Sequence, residues 1–201
     1  GGLYTSGLAQ INNSLIRNNI LPEIGHSLGG GIYNVGLIIK INNSTLIDNV
    51  AKSISLDCLL CEAPDGHGGG LYQVGRVAHL YNTVLAHNSA NANGPDCVGA
   101  VSSAGYNVLG NEAGCTFTAT TGDKLNTASI LDTNGRPLSG DTTLIDGSDP
   151  TGCHNSDGTP LTTDLSGAPR TIDGDKDGNA RCDVGAFEYL PPRLYIPWIT
   201  R

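Results

Sequence analysis

The stretch Gly30-Gly31-Ile32-Tyr33-Asn34-Val35-Gly36-Leu37-Ile38-Ile39-Lys40-Ile41-Asn42-Asn43-Ser44-Thr45-Leu46-Ile47-Asp48-Asn49 decides the architecture, because the chain carries its plan three times. The opening phrase recurs as Gly1-Gly2-Leu3-Tyr4 and Gly69-Gly70-Leu71-Tyr72. Each copy leads into an Asn-rich apolar run, from Ile11 to Asn18, from Ile41 to Asn49 and from Leu80 to Asn88. Aligned on the closing Asn18, Asn49 and Asn88, the copies stand 31 and 39 residues apart. The longer step contains Cys58 to Gly66, which reads as a loop inserted between turns. A unit of this length cannot bury its own apolar face, whereas stacking on its neighbours does.

Within a unit the apolar residues alternate over short runs rich in β-branched side chains, such as Leu37 to Ile41 and Ser44 to Ile47. That pattern suits strands of a few residues and not helices. No segment combines helical periodicity with a capped start and a Gly stop. The expected fold is therefore all-β, a right-handed parallel β-helix (solenoid) with an irregular, disulfide-pinned C-terminal cap. Repeated Gly permits its tight corners. Asn43, Asn49, Asn82 and Asn88 fall at equivalent positions and are expected to bond as ladders along the axis. Tyr4, Tyr33 and Tyr72 are expected to stack as a column. These assignments take the repeated Asn and Tyr residues off the catalytic list.

Composition narrows the function classes. The chain has 201 residues, 28 of them Gly, only 15% charged, with a net charge of −8. Such a surface repels phosphate backbones, so nucleic-acid binding is not expected, and it weighs against a polyanionic sugar unless cations mediate. No apolar run is long enough to span a membrane as a helix. The chain starts inside a repeat and contains no Met, so it reads as a processed or truncated portion of a longer precursor. The six cysteines, Cys58, Cys61, Cys97, Cys115, Cys153 and Cys182, favour disulfides in an oxidising compartment. Several pairings are open, and local spacing favours Cys58–Cys61, Cys97–Cys115 and Cys153–Cys182. A zinc site at Cys58-x-x-Cys61 lacks a second Cys pair or a nearby His pair.

The repeats resemble turns of the right-handed parallel β-helices of bacterial secreted proteins. The second half is more specific. Asp96-Cys97, Ser103 to Gly110, Cys115-Thr116-Phe117, Asp173 to Gly178 and Cys182-Asp183-Val184-Gly185-Ala186-Phe187-Glu188-Tyr189 are similar to the choice-of-anchor Q module. That module closes β-helix surface proteins ahead of a variable anchor. The resemblance implies an extracellular protein of the bacterial cell surface, and it supports the Cys97–Cys115 and Cys153–Cys182 pairings. The chain departs from that pattern after Leu190-Pro191-Pro192-Arg193-Leu194, which is not a sortase signal.

Along the chain, residues 1–118 read as β-helix turns. Residues 119–189 read as irregular coils and a cap with an acidic loop, and residues 190–201 as a tail strand. The C-terminal segment is expected to cover one end of the coil, leaving the first turn to be covered by something else. The acidic loop Asp173-x-Asp175-x-Asp177-Gly178 matches the first half of a calcium loop, with Asn179 and Asp183 as further ligands. The Glu expected at loop position 12 is replaced by Val184, so any Ca²⁺ would be structural. Glycoside hydrolysis needs two carboxyls at a set separation. Asp48, Asp57, Glu62 and Asp65 supply acids without a repeat-aligned pair, and Arg76, His79 and His87 are a candidate base and clamp. Asn12, Asn42 and Asn43 begin glycosylation sequons. Tyr195, Ile196, Trp198 and Ile199 form an apolar tail suited to strand addition on this chain or on another copy. The leading function is a non-catalytic structural or adhesive surface protein whose partner is a cell-surface glycan or itself, as a filament subunit. The competing class is a polysaccharide-active enzyme.

Overall fold

The computed structural model describes residues 1–24, 26–54 and 65–192, and the side chains of residues 22–24 and 54 are left aside. Among the described residues the protein is all-β, without a helix, and every pairing between its strands is parallel. The first turn comprises β1 (Leu3–Thr5), β2 (Leu8–Asn12), β3 (Leu15–Arg17), β4 (Ile20–Ile24) and β5 (Ser27–Leu28). The second repeats the order with β6 (Ile32–Asn34), β7 (Ile38–Asn42), β8 (Thr45–Ile47), β9 (Val50–Ile54) and β10 (Gly66–His67). The third holds β11 (Leu71–Gln73), β12 (Val77–Tyr81), β13 (Val84–Ala86) and β14 (Ser89–Ala90). A fourth merges its first two strands into β15 (Cys97–Ser103) and continues through β16 (Val108–Leu109), and β17 (Cys115–Thr118) and β18 (Lys124–Leu125) stack on these two as a fifth. Each strand lies beside its counterpart one turn on, as in β3-β8-β13-β16-β18.

Stacking in register turns repeated residues into columns. Ile16, Leu46, Leu85, Leu109 and Leu125 form one apolar column. Ala9, Ile39, Ala78, Val101 and Phe117 form another. Both belong to one core, in which Leu46, Leu85, Ile39 and Leu109 are wholly buried. At about 25 cal/mol per Å² of apolar surface removed from water, this continuous core is the main favourable term. The Gly-Gly phrase marks a corner where successive turns come too close for a side chain. A Cβ on Gly31 would stand 2.6 Å from the Gly70 carbonyl oxygen. Tyr4, Tyr33 and Tyr72 stack as expected, edge to face, with centroids 5.7 and 5.6 Å apart.

The Asn ladder is real and directional. The Oδ1 of Asn49 accepts both the backbone N–H (3.2 Å) and the Nδ2 (2.8 Å) of Asn19. Asn88 does the same for Asn49, at 3.0 and 2.9 Å. Asp96 does it for Asn88, at 3.1 and 2.8 Å. Asn82 donates to the Oδ1 of Asn43 in a second column. One detail differs from the sequence alignment: the partner of Asn49 is Asn19 and not Asn18, so the first step at this position is 30 residues and not 31. Asn18 takes the left-handed corner instead (φ 55°), as Asp48 and His87 do one and two turns on. The adjacent Asn-Asn pair allows either alignment, and only the corner geometry separates them.

Residues 129–192 do not cover an end. They lie along the side of the stack, against β8, β13 and β16. Val84, Ala86 and Val108 point out of the stack and bury against Leu144 and Val184 in a second core. This explains why β8 and β13 are buried at every position while β7 and β12 alternate. The flank is not irregular either. Leu131-Asp-Thr-Asn-Gly-Arg-Pro137, His154-Asn-Ser-Asp-Gly-Thr-Pro160 and Thr163-Asp-Leu-Ser-Gly-Ala-Pro169 are three copies of one tight turn. Each closes with a bridge between its first residue and its Pro. In each, the second residue donates its N–H to the carbonyl four positions on, at 2.9, 2.8 and 2.8 Å.

The flank is fastened by a buried ion pair. Arg170 Nη1 lies 2.9 Å from Glu188 Oε1, with both side chains at most 1% exposed. Arg170 Nη2 donates to the Gly185 carbonyl at 2.9 Å and to Asn13 Oδ1 at 2.8 Å, reaching the first turn. Gly185 N–H bonds the Asn82 carbonyl, and Ala186 N–H bonds Thr45 Oγ1, each at 3.0 Å. A Cβ on Gly185 (φ 101°) would meet Thr45 Oγ1 at 2.6 Å, so this position of the terminal motif requires Gly. Burial and the neighbouring carboxylate push Asp183 upward, and burial pushes Glu188 upward against the pull of Arg170. Among the described residues two disulfides are present, Cys97–Cys115 and Cys153–Cys182, with Cα separations of 5.4 and 6.2 Å. The expected Cys58–Cys61 pair lies outside the described residues.

Candidate functional site

The outward face of β7 and β12 places Lys40 beside His79 and Asn42 beside Tyr81, because alternate residues of paired strands point the same way. The second flank turn overhangs this face. Its Ser156 N–H donates to Asn12 Oδ1 at 2.8 Å, and its His154 carbonyl accepts from Asn43 Nδ2 at 2.7 Å. The Tyr81 hydroxyl donates to the Gly152 carbonyl at 3.0 Å. Between face and overhang runs an open cleft of about 580 Å³, lined by Lys40, Asn42, His79, Tyr81, Asp149 and His154 among others. Burial, and then the Asp149 carboxylate, push the Tyr81 phenol far above its ordinary value, so it stays protonated.

The cleft holds one carboxylate, Asp149, and its Oδ1 already accepts from the N–H and hydroxyl of Thr151, both at 2.8 Å. An acid/base pair of the glycosidase kind needs two carboxyls about 5–9.5 Å apart. The other catalytic candidates do not gather. His79 lines this cleft, and His87 sits at an exposed corner over a different hollow, 3.2 Å from the Ser129 carbonyl. Arg76 is exposed and lines neither. Asp65 lies 3.8 Å from His67, and Asp48 occupies a left-handed corner. Asp57 and Glu62 fall outside the described residues.

The acidic loop gathers a different set of carboxylates from the one its motif suggests. Asp146, Asp173 and Asp175 offer oxygens within 4.8 Å of one another and could hold a metal ion. Asp183 is buried on the far side of Asp146, where its Oδ1 accepts the Asp146 N–H at 2.8 Å. Asp177 Oδ1 accepts the Asn179 N–H at 2.7 Å. Asp173 accepts the N–H groups of Asp177 and Gly178, both at 3.1 Å. Asp132 and Asp164 likewise accept the N–H four residues on, at 2.9 and 2.8 Å. The loop is also closed by a bridge, Ile172 to Arg181. It is thus an enlarged fourth member of the flank's turn series. Asp146 was missed because it precedes the motif by 27 residues and meets it only through the fold.

The sequons are structural. Asn43 is wholly buried at a left-handed corner, and Asn12 and Asn42 lie under the flank turn. Tyr195, Ile196, Trp198 and Ile199 lie outside the described residues. No family model, curated protein or solved structure matches the chain.

Proposed function

We propose that the stacked turns form a right-handed parallel β-helix, the hand favoured for parallel crossovers, and that the protein is a non-catalytic structural or adhesive component of the bacterial cell surface. The observation that carries this reading is the cleft on β7 and β12, a walled surface of mixed polar and apolar lining with one carboxylate already engaged by Thr151. It suits holding a ligand and lacks the pair of carboxyls that hydrolysis of a glycosidic bond needs. The two disulfides are consistent with an extracellular protein, and no helix is long and apolar enough to cross a membrane among the described residues. Similarity of the Cys182 to Tyr189 motif to the choice-of-anchor Q module supports the surface location.

Assembly of filaments by continuing the ladders past the last turn has less support. Asp96 ends the Asn19–Asn49–Asn88 ladder and Asp123 ends the series from Thr83 through Asn107, and a carboxylate accepts without donating onward. The first turn is the open end, with Tyr4, Leu8 and Ile20 at 63, 75 and 61% exposure. The functional reading is tested by passing the purified chain over immobilised polysaccharides and assaying the same polysaccharides for new reducing ends. Retention without cleavage is expected; sustained release of reducing ends would establish the enzyme instead.

A further inference from the structure

We infer that the cleft between the β7–β12 face and the second flank turn is a binding site for a carboxylate-bearing sugar, with Lys40 as the group that meets the carboxylate. The inference rests on the adhesive reading above and specifies its ligand. The chain carries 19 acidic and 11 basic residues, so cations are its scarcer charged groups, and among the described Lys and Arg side chains only Arg170 makes an ion pair. Among the described residues Lys40 makes no ion pair, and its Nζ has only the Ser156 carbonyl, at 3.4 Å. His79 stands next to it on the adjoining strand, and His154 faces the cleft from the overhang. The lining therefore brings three nitrogen-bearing side chains together with a single carboxylate, Asp149, whose Oδ1 is already engaged by Thr151. The amides of Asn42 and Asn155 supply donors and acceptors suited to sugar hydroxyls. The Ser156 hydroxyl is buried without a hydrogen-bond partner in the same wall. The volume, about 580 Å³, falls within the usual range for small-ligand sites.

The cleft is also held in shape. Its floor is two paired strands of the stack, and its roof is tied down by Asn12, Asn43 and Tyr81 and by the Cys153–Cys182 disulfide. A ligand therefore meets a preorganised wall and binds without ordering a loop.

The test is a titration of the ¹⁵N-labelled chain with glucuronic acid, glucose and acetate, followed by amide chemical shifts. Glucuronic acid is expected to move the amides of Lys40, His79 and Ser156, and glucose and acetate to bind at least about tenfold more weakly, since each lacks half of the recognised chemistry. Lys40→Ala is expected to weaken glucuronic acid by about tenfold or more while leaving the weak glucose response unchanged. Lys40→Gln, which keeps much of the side chain's length, controls for packing, and the melting temperature of both variants checks folding. Equal binding of glucose, equal binding of acetate, full affinity in both Lys40 variants, or no shift at tens of millimolar would each overturn the inference. A reducing-end assay of the same chain on a glucuronic-acid-containing polysaccharide separates the two failures. Cleavage would overturn the non-catalytic reading, whereas absent binding without cleavage would overturn only the ligand assignment.

Discussion

The stack and its flank are both built from repeats, but they close their hydrogen bonds over different distances. In the stack, Asn49 and Asn88 are relays: Asn49 accepts from Asn19 and donates to Asn88, across 30 and 39 residues, and Asn88 passes the ladder to Asp96, eight residues on, where it ends. In the flank, Asp132, Asp164 and Asp173 bond backbone N–H groups within five residues of themselves. An amide side chain both donates and accepts, so Asn can be handed on indefinitely. A carboxylate only accepts, so Asp closes a turn or ends a ladder, as Asp96 does. The residue chosen at each position therefore follows from whether the structure continues there.

The comparison can be broken most severely at the fastening between the two regions. Arg170→Ala should leave Glu188 buried without its partner and lower stability by about 3–5 kcal/mol, read as denaturant midpoint. Limited proteolysis should then cut within residues 129–192 before residues 1–128. Cutting at equal rates would show that the two regions unfold as one. Asn49→Ala is the next largest, at about 2–3 kcal/mol, because it strands the two Asn19 donors on the turn before and removes the donor to the Ile16 carbonyl and to Asn88 Oδ1. Asp132→Ala, which removes a local turn closure, should cost only about 1 kcal/mol. If the two losses were equal, the distinction between relay and local closure would fail.

Asp96 sharpens the same contrast through pH. Burial pushes its carboxyl up to about 6, against hydrogen bonds from Asn88 and Asn111 that lower it. Its folded value is raised, so its contribution is fully present below about pH 4 and is lost as pH climbs to about 6. The wild-type Tm should show this component of decline across that window, and Asp96→Asn should not. Parallel Tm profiles for the two chains would refute the assignment. The smallest effect is expected at the acidic loop. Asp175 is exposed and bonds its own loop, so Asp175→Ala should change stability by less than about 0.5 kcal/mol. Chelator should leave Tm unmoved, and a chelator-dependent drop restored by calcium would make Asp146, Asp173 and Asp175 a working metal site.

Much of the stack was legible because its repeat is long and its constraints are chemical. Gly31 must fit under Gly70, and Asn49 must both donate and accept. The flank was harder because each turn is short and the copies beginning at Leu131, His154 and Thr163 are unevenly spaced, by 23 and 9 residues. The shared Gly-x-Pro of Gly135, Gly158 and Gly167 was the available signal. The cleft could not be read from sequence at all. Lys40 and His79 meet through register, but His154 joins them only because the flank folds back along the side of the stack and not over its end.

The most direct test of the relay account is native-state hydrogen exchange at single-residue resolution. The backbone N–H groups of Asn49 and Asn88 should exchange only with global unfolding, while those of Asn134, Thr159 and Ser166, held by local Asp side chains, should exchange at least about a hundredfold faster. Equal protection in the two sets, or faster exchange at Asn49 and Asn88, would contradict it.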